Sequence, residues 1–482
     1  MNVLDLVIFL PLLAAALLVV PGIGARWVWV AATTADLALT GIMWAGYRGG
    51  IGYETRLRWI PSVGAGYHVG VDGLSLPLIA MSALLFLLCA VYSWRETARP
   101  RAYAALFLFL QTVSIGLFAA LDLLLFFVFF DLSIVGMYFV IVGWGHGDRA
   151  RSALKFFLYT FLGSLVLLLG FIGLWLGGGT FDMVELIARP PAIPAVVLLA
   201  VGIGFAVKTP TVPVHTWLPP AHTDAPAAGS AILAGVLLKM GTYGFARIAM
   251  PMLPTAWQDY AWVIIVVGVV SVLYGALVAL AQENLKRLIA YTSVNHMGYI
   301  VLAVGAAGLV SGAAQAREVA VSGAVTQMVS HGLVTGALFL LTGVLWDRAG
   351  SYEIGRFGGI AGTAPVFTTM MAIASFASLG LPGLSGFIAE FQIFTGVIGA
   401  GAVVAGALSI VGILITAALF LRMLHRVFLG APGELRVSDV RPFEVAAVAP
   451  LLALSLVIGI APRWLLDLVE PAATAIVSLV SR

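Results

Sequence analysis

Residues 207–247 read VKTPTVPVHTWLPPAHTDAPAAGSAILAGVLLKMGTYGFAR. The stretch is apolar almost throughout, yet it holds two lysines, Lys208 and Lys239, each within an apolar run. A lysine placed in hydrocarbon costs roughly 2.5 kcal/mol or more, so it is rarely kept without a use. Pro210 and Pro213 follow Lys208 closely. Proline interrupts the helical ladder and frees backbone carbonyls beside the cation. A cation next to a broken helix is what an ion path needs.

The surrounding chain has the composition of a membrane protein. Of its 482 residues 61% are hydrophobic and only 10% charged, against about 25% charged in a soluble domain. Fourteen apolar stretches are each long enough to cross a bilayer. They lie near 3–20, 27–46, 74–93, 103–120, 123–143, 154–176, 192–214, 227–249, 260–281, 288–309, 319–346, 365–395, 402–424 and 444–465. The expected fold is an all-α polytopic membrane protein. The segment from Ala472 to Val480 is too short to be a further span. A transmembrane barrel would need recurring short segments of strict alternation, which we do not find. The first stretch carries Asp5 and no basic leader, so it reads as a retained span.

Several function classes are excluded at this stage. The single cysteine, Cys89, cannot build an iron–sulfur cluster, a zinc–cysteine site or a disulfide. The chain has no GxxxxGK[ST] loop, so ATP does not drive it directly. The small net charge of +3 comes mostly from loop arginines, which argues against a nucleic-acid partner.

Loop charge sets the orientation. One set of alternate loops carries Arg95, Arg99 and Arg101, then Arg149, Arg151 and Lys155, then Arg422, Arg426, Arg436 and Arg441. The opposite loops hold fewer basic residues, so the first set faces inward and both termini face outward. Lysine usage adds to this. The only lysines are Lys155, Lys208, Lys239 and Lys286, and half of these lie inside spans. Arginine cannot release its proton in a protein, whereas a desolvated lysine can. The choice of lysine fits proton transfer better than a static charge.

Other polar residues stand inside spans. Asp131, in LLLFFVFFDLSIVGMYFVIV, is expected to pair with Lys208, either to control its proton or as a fixed structural ion pair. Lys239 has no acid near it in sequence and suits a relay; alternatively it snorkels to an interface. His331 lies among Gln327, Ser330 and Thr335, a polar stripe at helical spacing, and reads as a relay group or a satisfied core histidine. Glu390 follows a second break, SLGLPGLSGFIAE, and reads as a terminal proton carrier. His215 and His222 flank the first break as proton-uptake or capping groups. Asp36 and His296 read as structural, and Lys286 with Arg287 as interface anchors. Two long spans broken by proline, five spans apart, point to a transporter with inverted repeats.

The runs VKTPTVPVHTWLPPAHTDAPAAGSAILAGVLLKMGTYGFAR, ENLKRLIAYTSVNHMGY, QMVSHGLVTGALFLLTG and LGLPGLSGFIAEF closely resemble the antiporter-like membrane subunits of respiratory complex I. The likeness covers nearly the whole chain and is densest between about 120 and 395. It implies fourteen transmembrane helices with two inverted five-helix repeats, each with a broken helix. It implies one transmembrane domain over 1–482: N-terminal helices in 1–100, repeats in 101–250 and 256–426, and a C-terminal helix in 440–482. It also implies a midplane row of protonatable residues falling on Asp131, Lys208, Lys239, His331 and Glu390. The family usually has Glu where this chain has Asp131, a side chain one methylene longer. Sister subunits usually carry Lys where this chain has Glu390, which singles out one branch of the family.

The implied function is proton translocation as one subunit of an NADH:quinone oxidoreductase in the cell (inner) membrane, with no redox centre in this chain. NADH, FMN, iron–sulfur clusters and quinone are then expected on partner subunits. Sister antiporter-like subunits and the lipid bilayer are its neighbours. The alternatives are a cation/proton antiporter subunit, the pump arm of a membrane hydrogenase, or a non-transporting scaffold whose buried charges are static.

Overall fold

Hydrocarbon offers no partner to a backbone amide, so an apolar run that crosses it must satisfy its hydrogen bonds internally, as a helix. The computed structural model describes residues 2–20, 22 and 24–481. Met1 and Arg482, the two ends of the expected domain, lie outside the described residues. The chain is an all-α polytopic membrane protein. Among the described residues, eleven helices are long and apolar enough to span, and four shorter apolar helices accompany them.

The chain opens with α1 (Val3–Leu17) and α2 (Ala25–Gly46), then α3 (Ser75–Tyr92), α4 (Pro100–Ala119), α5 (Leu123–Trp144) and α6 (Arg149–Gly178). A short α7 (Met183–Ala188) leads to α8 (Val196–Lys208) and α9 (Leu218–Asp224). Next come α10 (Ala227–Met252), α11 (Pro254–Asp259), α12 (Ala261–Leu280), α13 (Leu285–Ala306) and α14 (Ala314–Ala349). The chain closes with α15 (Pro365–Ser378), α16 (Ser385–Gly399), α17 (Val403–Leu429), α18 (Pro442–Ile460) and α19 (Arg463–Val480).

Sequence pattern sets which helices lie inside. Side chains of α10 and α14 are buried on every face through the spanning part. Their glycines, serines and alanines let neighbours approach closely. In contrast, α6 turns Leu162, Leu169 and Leu176 outward, α12 turns Val263, Val266 and Val270 outward, and α17 turns Val404, Leu408 and Leu414 outward. Those apolar faces are open on the isolated chain, so a bundle of polar-bearing helices is wrapped by apolar ones.

Both expected breaks are present. The first helix stops at Lys208, and the carbonyl freed at Val207 accepts the indole N–H of Trp217 at 2.9 Å. The second lies between α15 and α16, where Gly380 and Gly383 take φ of +77° and +94°. A Cβ on Gly380 would also stand 2.2 Å from Glu390 Oε2, so only glycine fits there.

Two elements were not anticipated. Residues 53–59 alternate Tyr, Glu, Thr, Arg, Leu, Arg, Trp, a strand pattern. They form β1 (Gly52–Ile60), paired antiparallel with β2 (Ala65–Val71). Asp5 of α1 accepts from Tyr67 and Thr55 of this hairpin, at 2.9 and 3.1 Å. The region 440–482 holds two helices, not one, because Pro462 starts α19. That helix buries Leu465, Val469, Ala473, Ile476 and Val480 at three- and four-residue steps. It packs on the ends of other helices: Arg317 donates to Ser481 at 3.0 Å, and Gln258 to the Val480 carbonyl at 2.5 Å.

Candidate functional site

The first break delivers Lys208 into the interior of the bundle. Its ammonium donates to Ser133 Oγ at 2.8 Å and lies 4.7 Å from the centre of the Phe130 ring. Phe130 and Ser133 are three residues apart and so share one face of α5. Asp131 sits about 100° around that helix, toward Ser164 of α6. Its Oδ1 has no hydrogen-bond partner. The direct Asp131–Lys208 ion pair expected from the sequence is therefore not formed. The two charges are near enough to interact, but Lys208 is held by a hydroxyl.

Lys239 lies in α10 between two π turns, Leu233–Leu237 and Phe245–Ala249. A π turn widens the ladder by one residue and misaligns carbonyls, and such turns recur at functional sites. Here the Ala234 carbonyl accepts from Lys239 Nζ at 2.5 Å. The other contact of Nζ is His331 Nδ1 on α14, at 2.6 Å. A lysine donating to Nδ1 leaves the neutral ring's proton on Nε2. The His331 ring is edge-on to His296 of α13, with centroids 5.2 Å apart. His296 Nε2 donates to the Ser378 carbonyl at 3.0 Å and lies 4.0 Å from Glu390 Oε1.

These groups converge. His296, Gln327, Ser330, His331, Ser378 and Glu390 line one cavity of about 10 Å³, roughly one water sphere. Among the described residues, His331 Nε2, Gln327 Oε1 and Ser378 Oγ have no hydrogen-bond partner. A chain of hydroxyls, Ser330 to Ser385 to Ser455, continues at 2.7 Å per step. The arrangement can hand a proton between neighbouring groups over short distances.

The sequence pattern of the family described as NADH:quinone oxidoreductase/Mrp antiporter, TM, matches residues 120–416. The chain belongs to this family. NADH-quinone oxidoreductase subunit M of Rhodobacter capsulatus is 37% identical, over 99% of this chain and 96% of the relative. The F(420)H(2) dehydrogenase subunit M of Methanosarcina mazei is 40% identical, over 89% of this chain and 87% of the relative. Respiratory complex I from Thermus thermophilus with bound NADH contains a chain that superposes with a TM-score of 0.91, at 31% identity and 99% coverage of both. Subunit M is the branch that Glu390 singled out.

Within this family member the five expected residues fall into two groups. Lys239, His331 and Glu390 join one cluster through His296. Asp131 and Lys208 stand apart on α5 and α8. The backbones of α8 and α10 approach closely at Gly241, where a Cβ would lie 2.3 Å from Thr209 Oγ1. Asp36 is buried and accepts from Gln111 at 2.6 Å, in keeping with its structural reading. His215 packs against Tyr274, and His222 stacks on Phe339 with centroids 4.5 Å apart.

Two readings are corrected. His296 is not merely structural in position, since it bridges His331 to Glu390. The signal was present in Thr292, Asn295, His296 and Tyr299, polar at helical spacing in an apolar span. Lys286 is no interface anchor: it is buried, donates to the Ala225 carbonyl at 2.5 Å and lies 5.2 Å from the Tyr352 ring centre. The turn between α9 and α10 covers it, which sequence position alone does not reveal.

Proposed function

We propose that this chain is a proton-translocating subunit of a membrane-bound NADH:quinone oxidoreductase, driven by quinone reduction in partner subunits. The row Lys239–His331–His296–Glu390, buried across α10, α14, α13 and α16, carries this reading. Protons are taken up from the inner side near the α8–α9 break and held on Lys208. Disturbing the charge of Asp131 nearby releases the proton toward Lys239. It then passes His331 and His296 to Glu390. Moving a proton against the membrane potential costs about 2.3 kcal/mol per 100 mV, a size that rearranging one buried charge can gate.

The two broken helices support assigning inverted repeats to 101–250 and 256–426. Both termini then face outward in the cell membrane. NADH, FMN, iron–sulfur clusters and quinone sit on partner subunits, with no redox centre here. Sister antiporter-like subunits flank the chain. Similarity to a subunit M of an F(420)H(2) dehydrogenase supports the reading that partners set the electron donor.

The deciding experiment is Lys239→Ala in the assembled complex, reconstituted in vesicles. The expected result is electron transfer with fewer protons moved per electron. An unchanged proton-to-electron ratio would sink the relay. The family description also covers antiporters. Sodium-dependent proton exchange in the same vesicles, without any electron donor, would favour that second reading.

A further inference from the structure

The outer part of α10 carries charged and polar groups that the relay does not use. Tyr243 and Arg247 follow Lys239 at four-residue steps, on the same side of the helix and roughly 6 and 12 Å further out. Arg247 is 7% exposed. Its guanidinium pairs with the carboxylate of Asp72, which also caps α3 by accepting from Leu74 and Ser75 amides at 3.0 and 3.1 Å. Tyr243 is buried beneath the pair, its hydroxyl donating to the Phe118 carbonyl at 3.0 Å. Above the pair is a cavity of about 800 Å³ lined by Asp72, Arg247, Tyr47, Trp464 and Asp467, beneath α19 on the outer side.

The pair thus separates two regions: an outer cavity large enough for many waters, and Lys239 two turns below. A buried ion pair is a poor source of stability, because desolvation offsets its attraction. Apolar residues would close the same gap at lower cost. An arginine there supplies something they do not. It cannot lose its proton, and a fixed cation in a narrow path repels protons, as in other selective pores.

We infer that the Asp72–Arg247 pair is a proton seal, an outward valve that keeps Lys239 from exchanging protons freely with the outer phase. The inference rests on Lys239 being a proton carrier. While the pair is closed, the guanidinium repels protons arriving through the cavity. Asp72 holds that guanidinium in place across the path. Tyr243 stands one helical turn from each, between the seal and Lys239 on α10.

The test uses the assembled complex in vesicles, first without electron donor and with an imposed pH gradient. Arg247→Gln and Asp72→Asn should raise passive proton conductance by about tenfold or more, the factor for a barrier lowered by ~1.4 kcal/mol. With donor, both variants should transfer electrons at the normal rate and retain a smaller gradient. Arg247→Lys keeps the charge and should stay nearly tight. In the double variant Arg247→Gln with Lys239→Ala the leak should vanish, because the inner link is gone. A leak that persists in the double variant would mean that the pair only packs the bundle, and would overturn the seal. Tight Arg247→Gln and Asp72→Asn complexes would overturn it too. So would failure of both to assemble, which would assign the pair to folding. Normal pumping by Lys239→Ala alone would instead sink the relay, whatever the conductance of the Arg247 variants.

Discussion

Lys239 Nζ lies 2.6 Å from His331 Nδ1 and 2.5 Å from the Ala234 carbonyl, and among the described residues it has no carboxylate partner. A buried cation held only by neutral acceptors has little electrostatic reason to stay charged. It can give its proton to the imidazole it touches.

Lys239→Arg should therefore assemble and fail to pump. Arginine keeps the charge and the hydrogen-bond donors but cannot release a proton. Vesicle acidification per electron should fall about as far as with Lys239→Ala, with the share carried by this chain down by about 10²-fold. Normal acidification by the arginine variant would show that the position needs only a charge.

His296→Phe should interrupt the row and leave the bundle intact. Phenylalanine keeps the ring against His331 but removes both nitrogens. The expected outcome is proton transfer to Glu390 slowed by about 10²-fold, with unchanged thermal stability of the complex. Asp36→Asn, outside the row, is the control and should pump normally.

Lys208 leans on Ser133, not on Asp131 directly. Ser133→Ala removes that acceptor from a buried ammonium, at a cost of about 1–3 kcal/mol. The variant complex should melt earlier and pump less. Asp131→Glu lengthens the acid by one methylene and should keep pumping, whereas Asp131→Asn should lose it. The ratio of protons to electrons separates these outcomes.

Gly380→Ala tests the second break. It combines a left-handed φ of +77° with a Cβ only 2.2 Å from Glu390 Oε2. Strain of about 1–3 kcal/mol should follow, together with displacement of the Glu390 carboxylate. Reduced pumping and a lower melting temperature should appear together; an unchanged melting temperature would contradict the placement of this turn.

The hairpin of β1 and β2 should respond to pH. Burial lowers the proton affinity of His68, but Asp182 at 2.8 Å and Glu54 at 2.9 Å outweigh it and hold the imidazole above its ordinary 6.5. Its contribution to stability is complete below 6.5 and is lost as pH rises through the raised value. Burial raises Asp182, but His68, the Glu185 amide and Arg56 more than offset this and hold it below its ordinary 3.8. That contribution is present above 3.8 and is lost only in stronger acid. The protection of residues 52–71 against hydrogen exchange, relative to the intrinsic base-catalysed rate at each pH, should therefore fall between pH 6.5 and alkaline conditions. In His68→Gln that fall in protection should be absent.

The membrane class, the run of apolar helices and both broken helices were legible in the sequence, as was the presence of five ionisable residues inside it. They follow from local rules: hydrocarbon demands long apolar helices, proline breaks them, and a charge left inside is conspicuous. The hairpin was not read from the sequence, because the alternation from Tyr53 to Trp59 is a minor signal among so many long apolar runs. Partnership was not legible. That Lys208 meets Ser133 and not Asp131, that His296 joins His331 to Glu390, and that Lys286 is covered all depend on how helices distant in sequence are rotated against each other. Rotation is set by close packing at positions such as Gly241 and Gly380, where a single added methyl would collide. One residue of helical phase turns a side chain by about 100°, enough to replace an ion pair with a hydroxyl contact, and only the packed bundle settles that phase.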